Sequence, residues 1–322
     1  MGPVMTRIQL PQGPALVLRL LGLLWVVVGV MLACFKPGAI SVSTVTSVLQ
    51  FTTILALVSL GQGLVILAGG AGIDLSVGGM VSLSAVLGMM GIRLGLPLVA
   101  LPVLCVLSGL LLGMLNGLLV TRLSILPLIA TLGTLFVYSG VAVAITGGAA
   151  MSGAPDWLLA WGRGVAAAIP IPFLVLVVPA FLVAVVLLSS SSWGRWIYAM
   201  GFNEKSARLV GIPVDAVRTT LYSASGALAG AAGLASLAWL GSARPNIGQD
   251  LELQSLTAVM LGGVSILGGR GGIAGVLAAV LLLVTLKTAL LQMNVNTVWQ
   301  LGIVGALLIG VLLAERLAQH WR

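Results

Sequence analysis

One carboxylate, Asp74, sits between glycine pairs in the string AGGAGIDLSVGG, residues 68–79, and it is the only charge from Pro37 to Ile92. An ionised aspartate at the centre of a bilayer costs about 2.5–3.5 kcal/mol on insertion scales, so an acid kept there has a use. Three uses are open to it. Asp74 before Leu75, Ser76 and Val77 is a good N-cap for a following helix. It is equally placed to line a translocation path or to carry a coupling proton. The last use needs a second ionisable group to relay the proton, and the apolar stretches offer none. Gly72, Ser76, Gly78 and Gly79 share the string, and glycines there let backbone groups approach a pathway or a neighbouring helix closely.

No catalytic constellation accompanies this acid. The single histidine, His320, is the third residue from the C-terminus, so neither a metal site nor a Ser/His/Asp or Cys/His arrangement is expected. Cys34 and Cys105 both fall in apolar stretches and read as buried small hydrophobes. Met31 to Cys34, behind a basic start, also faintly resembles a lipoprotein cleavage site. Lys36, Lys205 and Lys287 follow Phe35, Glu204 and Leu286, so no phosphate-cradling loop ends in Gly-Lys. The chain is therefore expected to hold no cofactor and to hydrolyse no ATP of its own.

The elements that must position Asp74 are dictated by composition. Of 322 residues, 60% are hydrophobic and 7% charged, against roughly 25% charged in soluble domains. Ten long uncharged stretches run between successive charges: 20–35, 37–73, 75–92, 94–121, 123–155, 164–194, 219–243, 253–269, 271–286 and 288–314. A spanning helix takes about 20 residues. An all-α membrane protein follows, a single domain over residues 1–322 with about ten transmembrane helices. With the N-terminus inside, Lys36, Arg93, Arg163, Arg244 and Lys287 fall outside and the other ten basic residues inside, which places both termini in the cytoplasm. The net charge of +8 is scattered singly along the chain, so nucleic acid is not an expected partner.

Two segments interrupt the apolar pattern. Residues 151–172, with Asp156, Trp157, Trp161 and Arg163, read as an outer connection lying partly in the interface. Residues 193–218, expected to be a cytoplasmic loop, hold six charges. Within them Asn203 is a good N-cap, Glu204 favours the first turn, Arg208 the last, and Gly211 and Pro213 stop the helix. A two-turn helix over Glu204 to Val210 is predicted, too short to stand alone in water. It needs a surface to lie on. The chain also echoes itself at an offset of 193: Gly69-Gly70 and Gly78-Gly79 match Gly262-Gly263 and Gly271-Gly272, and Ile73 matches Ile266. Glycine interruptions in corresponding halves point to broken helices beside a transport path.

Three strings, GGAGIDLSVGGMVSLSAVLG, GRWIYAMGFNEKSARLVGIPVDAVR and AVMLGGVSILGGRGGIAGVLAAVLL, stand in order over about residues 47–313. Together they resemble the membrane subunits of bacterial ATP-binding-cassette monosaccharide importers, the ribose permease group. Branched-chain amino acid permeases share a broader likeness. The resemblance implies a bacterial inner-membrane permease with three kinds of partner: a cytoplasmic ATPase that binds the ATP, a second permease subunit, and a periplasmic solute-binding protein. It further implies that the short cytoplasmic helix is the coupling helix that docks in the ATPase, matched here by Gly201, Asn203, Ala207, Arg208, Gly211 and Ile212. Glu204 and Lys205 lie outside that match and are expected only to tune docking charge. The alternatives are a permease for a nucleoside or branched-chain amino acid, a proton-coupled secondary transporter, and a membrane anchor.

Overall fold

The computed structural model describes residues 21–30 and 41–320, so the readings made on Arg7, Arg19, Cys34, Lys36 and Arg322 lie outside the described residues. Thirteen α-helices carry most of the described chain. They are α1 Leu21–Val30, α2 Val42–Leu67, α3 Val77–Arg93, α4 Leu101–Thr121, α5 Pro127–Thr146, α6 Asp156–Arg163, α7 Val178–Ser190, α8 Ser192–Phe202, α9 Glu204–Leu209, α10 Val214–Leu240, α11 Leu251–Leu261, α12 Ile273–Gln292 and α13 Thr297–His320. Among the described residues, six helices are long and apolar enough to cross a membrane: α2, α4, α5, α7, α10 and α12, with α4 and α7 each extended by a preceding short turn. Four shorter apolar helices lie at α1, α3, α11 and Val298–Gly310 of α13. Each of the ten uncharged stretches overlaps one of these ten.

Layering follows from which faces are covered. In α2, 78% of the membrane-length window is buried, and in α10 61%, against 22% in both α4 and α7. The two central helices therefore form the core, and α4, α5 and α7 turn Leu111, Phe136, Val137 and Val186 outward. Hydrocarbon is the solvent that such a surface suits. The closest packing joins α4 to α10. Gly109, Gly113 and Gly117 recur every fourth residue on α4 against Gly226 and Gly230 on α10. A Cβ on Gly226 would lie 2.8 Å from Gly113 N, and one on Gly117 2.8 Å from Thr219 Cα. Small residues at this spacing let two helix backbones touch, which is how helices associate where no hydrophobic effect separates them from lipid.

α3 and α11 are short because glycine-rich breaks adjoin them. Residues 68–76 separate α2 from α3, with Gly69, Gly70 and Ala71 at φ of 70°, 65° and 54°. Residues 262–272 separate α11 from α12, with Gly263, Gly268, Gly269 and Gly271 also at positive φ. A right-handed helix cannot run through left-handed residues.

The segment 151–172 is ordered. Helix α6 carries Asp156 in its first turn and Arg163 in its last, as its dipole favours. Gln50 Nε2 donates to the Gly162 carbonyl (3.2 Å) and Arg163 Nε to the Trp239 carbonyl (3.0 Å), fastening α6 across the ends of α2 and α10. Two ladders of two residues each depart from the all-helical pattern. β1 Met151–Ser152 pairs antiparallel with β4 Ser242–Ala243, and β2 Val165–Ala166 with β3 Ile169–Pro170. Cys105 is fully buried in α4 and free.

Candidate functional site

Asp74 is fully buried, and its carboxylate gathers three donors. Ser76 N–H (3.1 Å) and Ser76 Oγ–H (2.6 Å) donate to Oδ1, and Ser225 Oγ–H of α10 donates to Oδ2 (3.2 Å). Ser76 Oγ in turn accepts from Asn116 Nδ2 of α4 at 2.6 Å. Asn116 Oδ1 accepts from Tyr138 Oη of α5 (3.1 Å), which also reaches the Leu112 carbonyl at 2.9 Å. One buried polar chain thus ties the first break to α4, α5 and α10. Thr131 Oγ1 adds a bond to the Ile73 carbonyl at 3.1 Å. Ser225 stands eleven residues into α10, about 16 Å from its first residue at 1.5 Å per residue. The acid is therefore well inside the helical layer rather than at its edge.

The helix start differs from the simple N-cap that the string suggests. α3 begins at Val77, two residues later than an Asp74 cap implies, and Ser76 occupies the cap position without a side-chain cap bond. Asp74 instead closes the turn ahead of α3 through Ser76 N–H and spends its other oxygen on α10.

The two breaks meet. A Cβ on Gly268 would lie 2.6 Å from Gly69 N, one on Gly69 2.7 Å from Gly201 Cα, and one on Gly269 2.6 Å from Phe202 N. Gly269 N–H donates to the Leu67 carbonyl (2.9 Å), and Tyr198 Oη of α8 donates to the Gly271 carbonyl (2.9 Å). Three backbones converge on Gly201 because none of these residues has a side chain to hold them apart. The echoed glycines are otherwise unequal. Gly72 closes on the Gly69 carbonyl, Gly78 faces Glu252, and Gly79 packs on Leu135 and Tyr138 of α5. Gly262 lies on Gly275 and Val276, Gly263 takes Gly271, and Gly272 has open space.

The elbow that reaches this junction is α8–α9. Asn203 Oδ1 accepts from Ser206 N–H at 3.0 Å, α9 closes at Leu209, and Gly211 turns the chain at φ 82°. Arg208 is clamped by Glu204 Oε1 (3.0 Å) and Asp215 Oδ1 (2.6 Å). Glu204 Oε2 also accepts from Arg218 at 2.8 Å. The Arg218 hydrogen bond, aided by Arg208, holds the Glu204 carboxyl below its usual 4.5 despite partial burial. A Cβ on Gly70 would lie 2.5 Å from Arg218 Nη2, so the glycine makes room for the ion pair. The expectation that Glu204 only tunes docking charge needs correcting: it joins α9 to the foot of α10 over the first break. Ala207 is buried and seats α9, while Phe202, Leu209 and Val210 are 75%, 87% and 77% exposed. Those three apolar side chains went unnoticed in the sequence, as did Asn116, Tyr138, Arg218 and Ser225. Phe202 stands just before the predicted helix and Leu209 and Val210 end it, an apolar signal in a charged segment; the other four are remote in the chain from what they touch.

A family model described as branched-chain amino acid transport system / permease component matches residues 44–312. The chain belongs to this permease family. It is 37% identical over 293 residues to the ribose import permease protein of Bacillus subtilis (strain 168), covering 89% of each chain. It is 31% identical over 289 residues to the ribose import permease protein of Haemophilus influenzae, covering 88% of each. The autoinducer 2 import system permease protein of Yersinia pseudotuberculosis serotype O:3 is 35% identical over 286 residues, or 88% of this chain and 80% of that relative. No solved structure matches the chain. As a member of the permease family it is a multi-pass membrane protein, and the breaks, the Asp74 chain and the α8–α9 elbow all lie within the matched residues.

Proposed function

We propose that this permease is the membrane subunit of an ATP-binding-cassette importer that moves a monosaccharide or sugar-like solute inward, powered by a separate ATPase. The observation that carries this reading is likeness over nearly the whole chain to permeases named for ribose and autoinducer 2. The elbow supports it from physics. Phe202 and Leu209 on the short helices and Val210 at the end of α9 lie exposed outside the six candidate spans, where water is their solvent and a partner's groove is their natural cover. On this reading α9 is the coupling helix, and Asn203, Arg208, Gly211 and Ile212 shape it while Gly201 links it to both breaks. The chain crosses the inner membrane ten times with both termini inside, a second permease subunit completes the pathway, and a periplasmic binding protein delivers the solute.

The deciding experiment is uptake into proteoliposomes that hold the permease with its ATPase and binding protein. Labelled monosaccharide should accumulate only with ATP inside the compartment of the ATPase, and collapse of the proton gradient should leave the rate unchanged. Accumulation of L-leucine or a nucleoside in place of sugars would move the substrate class. Uptake that continues without ATP and stops with the gradient would favour a proton-coupled carrier.

A further inference from the structure

A second polar feature lies at the opposite end of the helices from the elbow. Trp239 stands 25 residues into α10, about 37 Å from its first residue. Next to it a cavity of about 290 Å³ opens between α2, α10, α11, α12 and α13. Its walls combine Phe51 and Trp239 with Gln254, Lys287 and Gln300. The two rings meet edge to face, with centroids 4.9 Å apart and an interplanar angle of 89°. Lys287 and Gln254 are half-buried, and neither side chain has a hydrogen-bond or salt-bridge partner among the described residues. Gln300 is buried and uses only its Nε2, on the Val295 carbonyl at 3.0 Å.

Lys287 stands within candidate span α12 and not in the outer connection that its charge suggests, and a cation there without a hydrogen bond or ion pair is a functional group by default, because its burial is costly. The volume is at the small end of the range for small-molecule sites, and mostly apolar walls with a few convergent polar groups are their usual lining. The residues also say what fits. An aromatic face is negative and attracts C–H groups polarised by neighbouring oxygens. An ammonium, a carboxamide and a free amide oxygen suit several hydroxyls at once, as donors and as acceptor. The lining contains no carboxylate. Lys287 forms no ion pair among the described residues, so the ammonium of an amino acid would meet its like charge with no carboxylate in the walls to pair with.

We propose that this cavity is an outer solute subsite for a neutral monosaccharide, with Trp239 and Phe51 as the ring platform and Lys287, Gln254 and Gln300 as the hydroxyl partners. This rests on the sugar-importer reading and extends it by naming where the permease itself first holds the sugar.

The test uses the permease–ATPase complex in nanodiscs, without binding protein, and follows tryptophan emission during titration with D-ribose, D-galactose and L-leucine. A saturable quench is expected with at least one sugar and none with leucine. Trp239→Phe should remove most of the quench. Lys287→Met should weaken the apparent affinity about tenfold to a hundredfold, the loss expected from one hydrogen bond to a charged group. A melting temperature like that of the wild-type complex checks the folding of both variants, and should Lys287→Met fail to assemble, the comparison of wild type with Trp239→Phe decides alone. A complex that transports sugar in proteoliposomes, yet shows the same response in wild type and Trp239→Phe, overturns the subsite and leaves the importer reading intact. A complex that transports only leucine overturns both.

Discussion

Asp74 is an anchor for three donors on two elements, and that arrangement predicts how its substitutions behave. Asparagine keeps an oxygen for Ser76 and supplies an NH₂ that can donate to the Ser225 oxygen, so Asp74→Asn should retain most ATP-driven uptake and melt normally. Alanine strands Ser76 N–H, its hydroxyl and the Ser225 hydroxyl, and each buried unsatisfied group costs about 1–3 kcal/mol. Asp74→Ala should therefore lower the melting temperature in detergent and the amount of protein in the membrane. Loss of uptake by a normally folded Asp74→Asn protein would contradict this and require the charge itself. At the same scale, Gly70 matters for what it leaves empty, since the Arg218 guanidinium fills the space a Cβ would occupy.

At the scale of elements, the α8–α9 elbow is tied to both breaks, so a push on α9 reaches α2, α3, α11 and α12 together. Gly211 holds a left-handed turn that valine resists, and Arg208→Glu would face Glu204 and Asp215 with a like charge. Both Gly211→Val and Arg208→Glu should insert normally while hydrolysing ATP without uptake, measured as sugar moved per ATP; unchanged uptake in both would sink the coupling role of α9. The ion pair also makes the elbow acid-sensitive. A carboxyl held below its usual 4.5 contributes stability in full above that value and loses it as pH falls through the lowered native value. The protection of α9 amides, taken against the intrinsic exchange rate at each pH, should accordingly be constant from pH 7 to about 5 and fall only on stronger acidification. Glu204→Gln should show lower protection of α9 at every pH and a smaller step, the part left to Asp215, which Arg208 also holds below its usual range.

For the whole molecule, the α4–α10 contact is the seam on which the bundle closes. Gly226→Leu drives a side chain into the Gly113 backbone, and overpacking costs about 1–3 kcal/mol where the backbone cannot retreat. A marked drop in melting temperature is expected. Gly133→Ala on α5 is the control, because nothing lies within 4 Å of its Cβ position and alanine favours the helix. Topology is testable at this scale too. Single cysteines at Lys205 and Arg163, introduced one at a time, should react with an impermeant maleimide from opposite sides of the membrane, and same-side labelling would refute the proposed ten-span path.

The sequence by itself determined the class of the protein and the two breaks. Apolar length, isolated charges, glycine pairs and the Asn203-to-Pro213 stop-and-start signals are local properties, and local properties are written in consecutive residues. It also placed the short helix within one residue of its observed end. Tertiary structure alone decided what these pieces touch. Ser225 lies 151 residues from Asp74 and Asn116 lies 40 from Ser76, separations that carry no periodic signal. Glu204 looked like a surface charge because Arg218 comes back to it only after Pro213 turns the chain. The meeting of Gly69, Gly201 and Gly268 was equally hidden, since glycine leaves no side chain whose pattern could announce a partner. Close approach of backbones depends on the absence of atoms, and only the folded chain says which absences face each other.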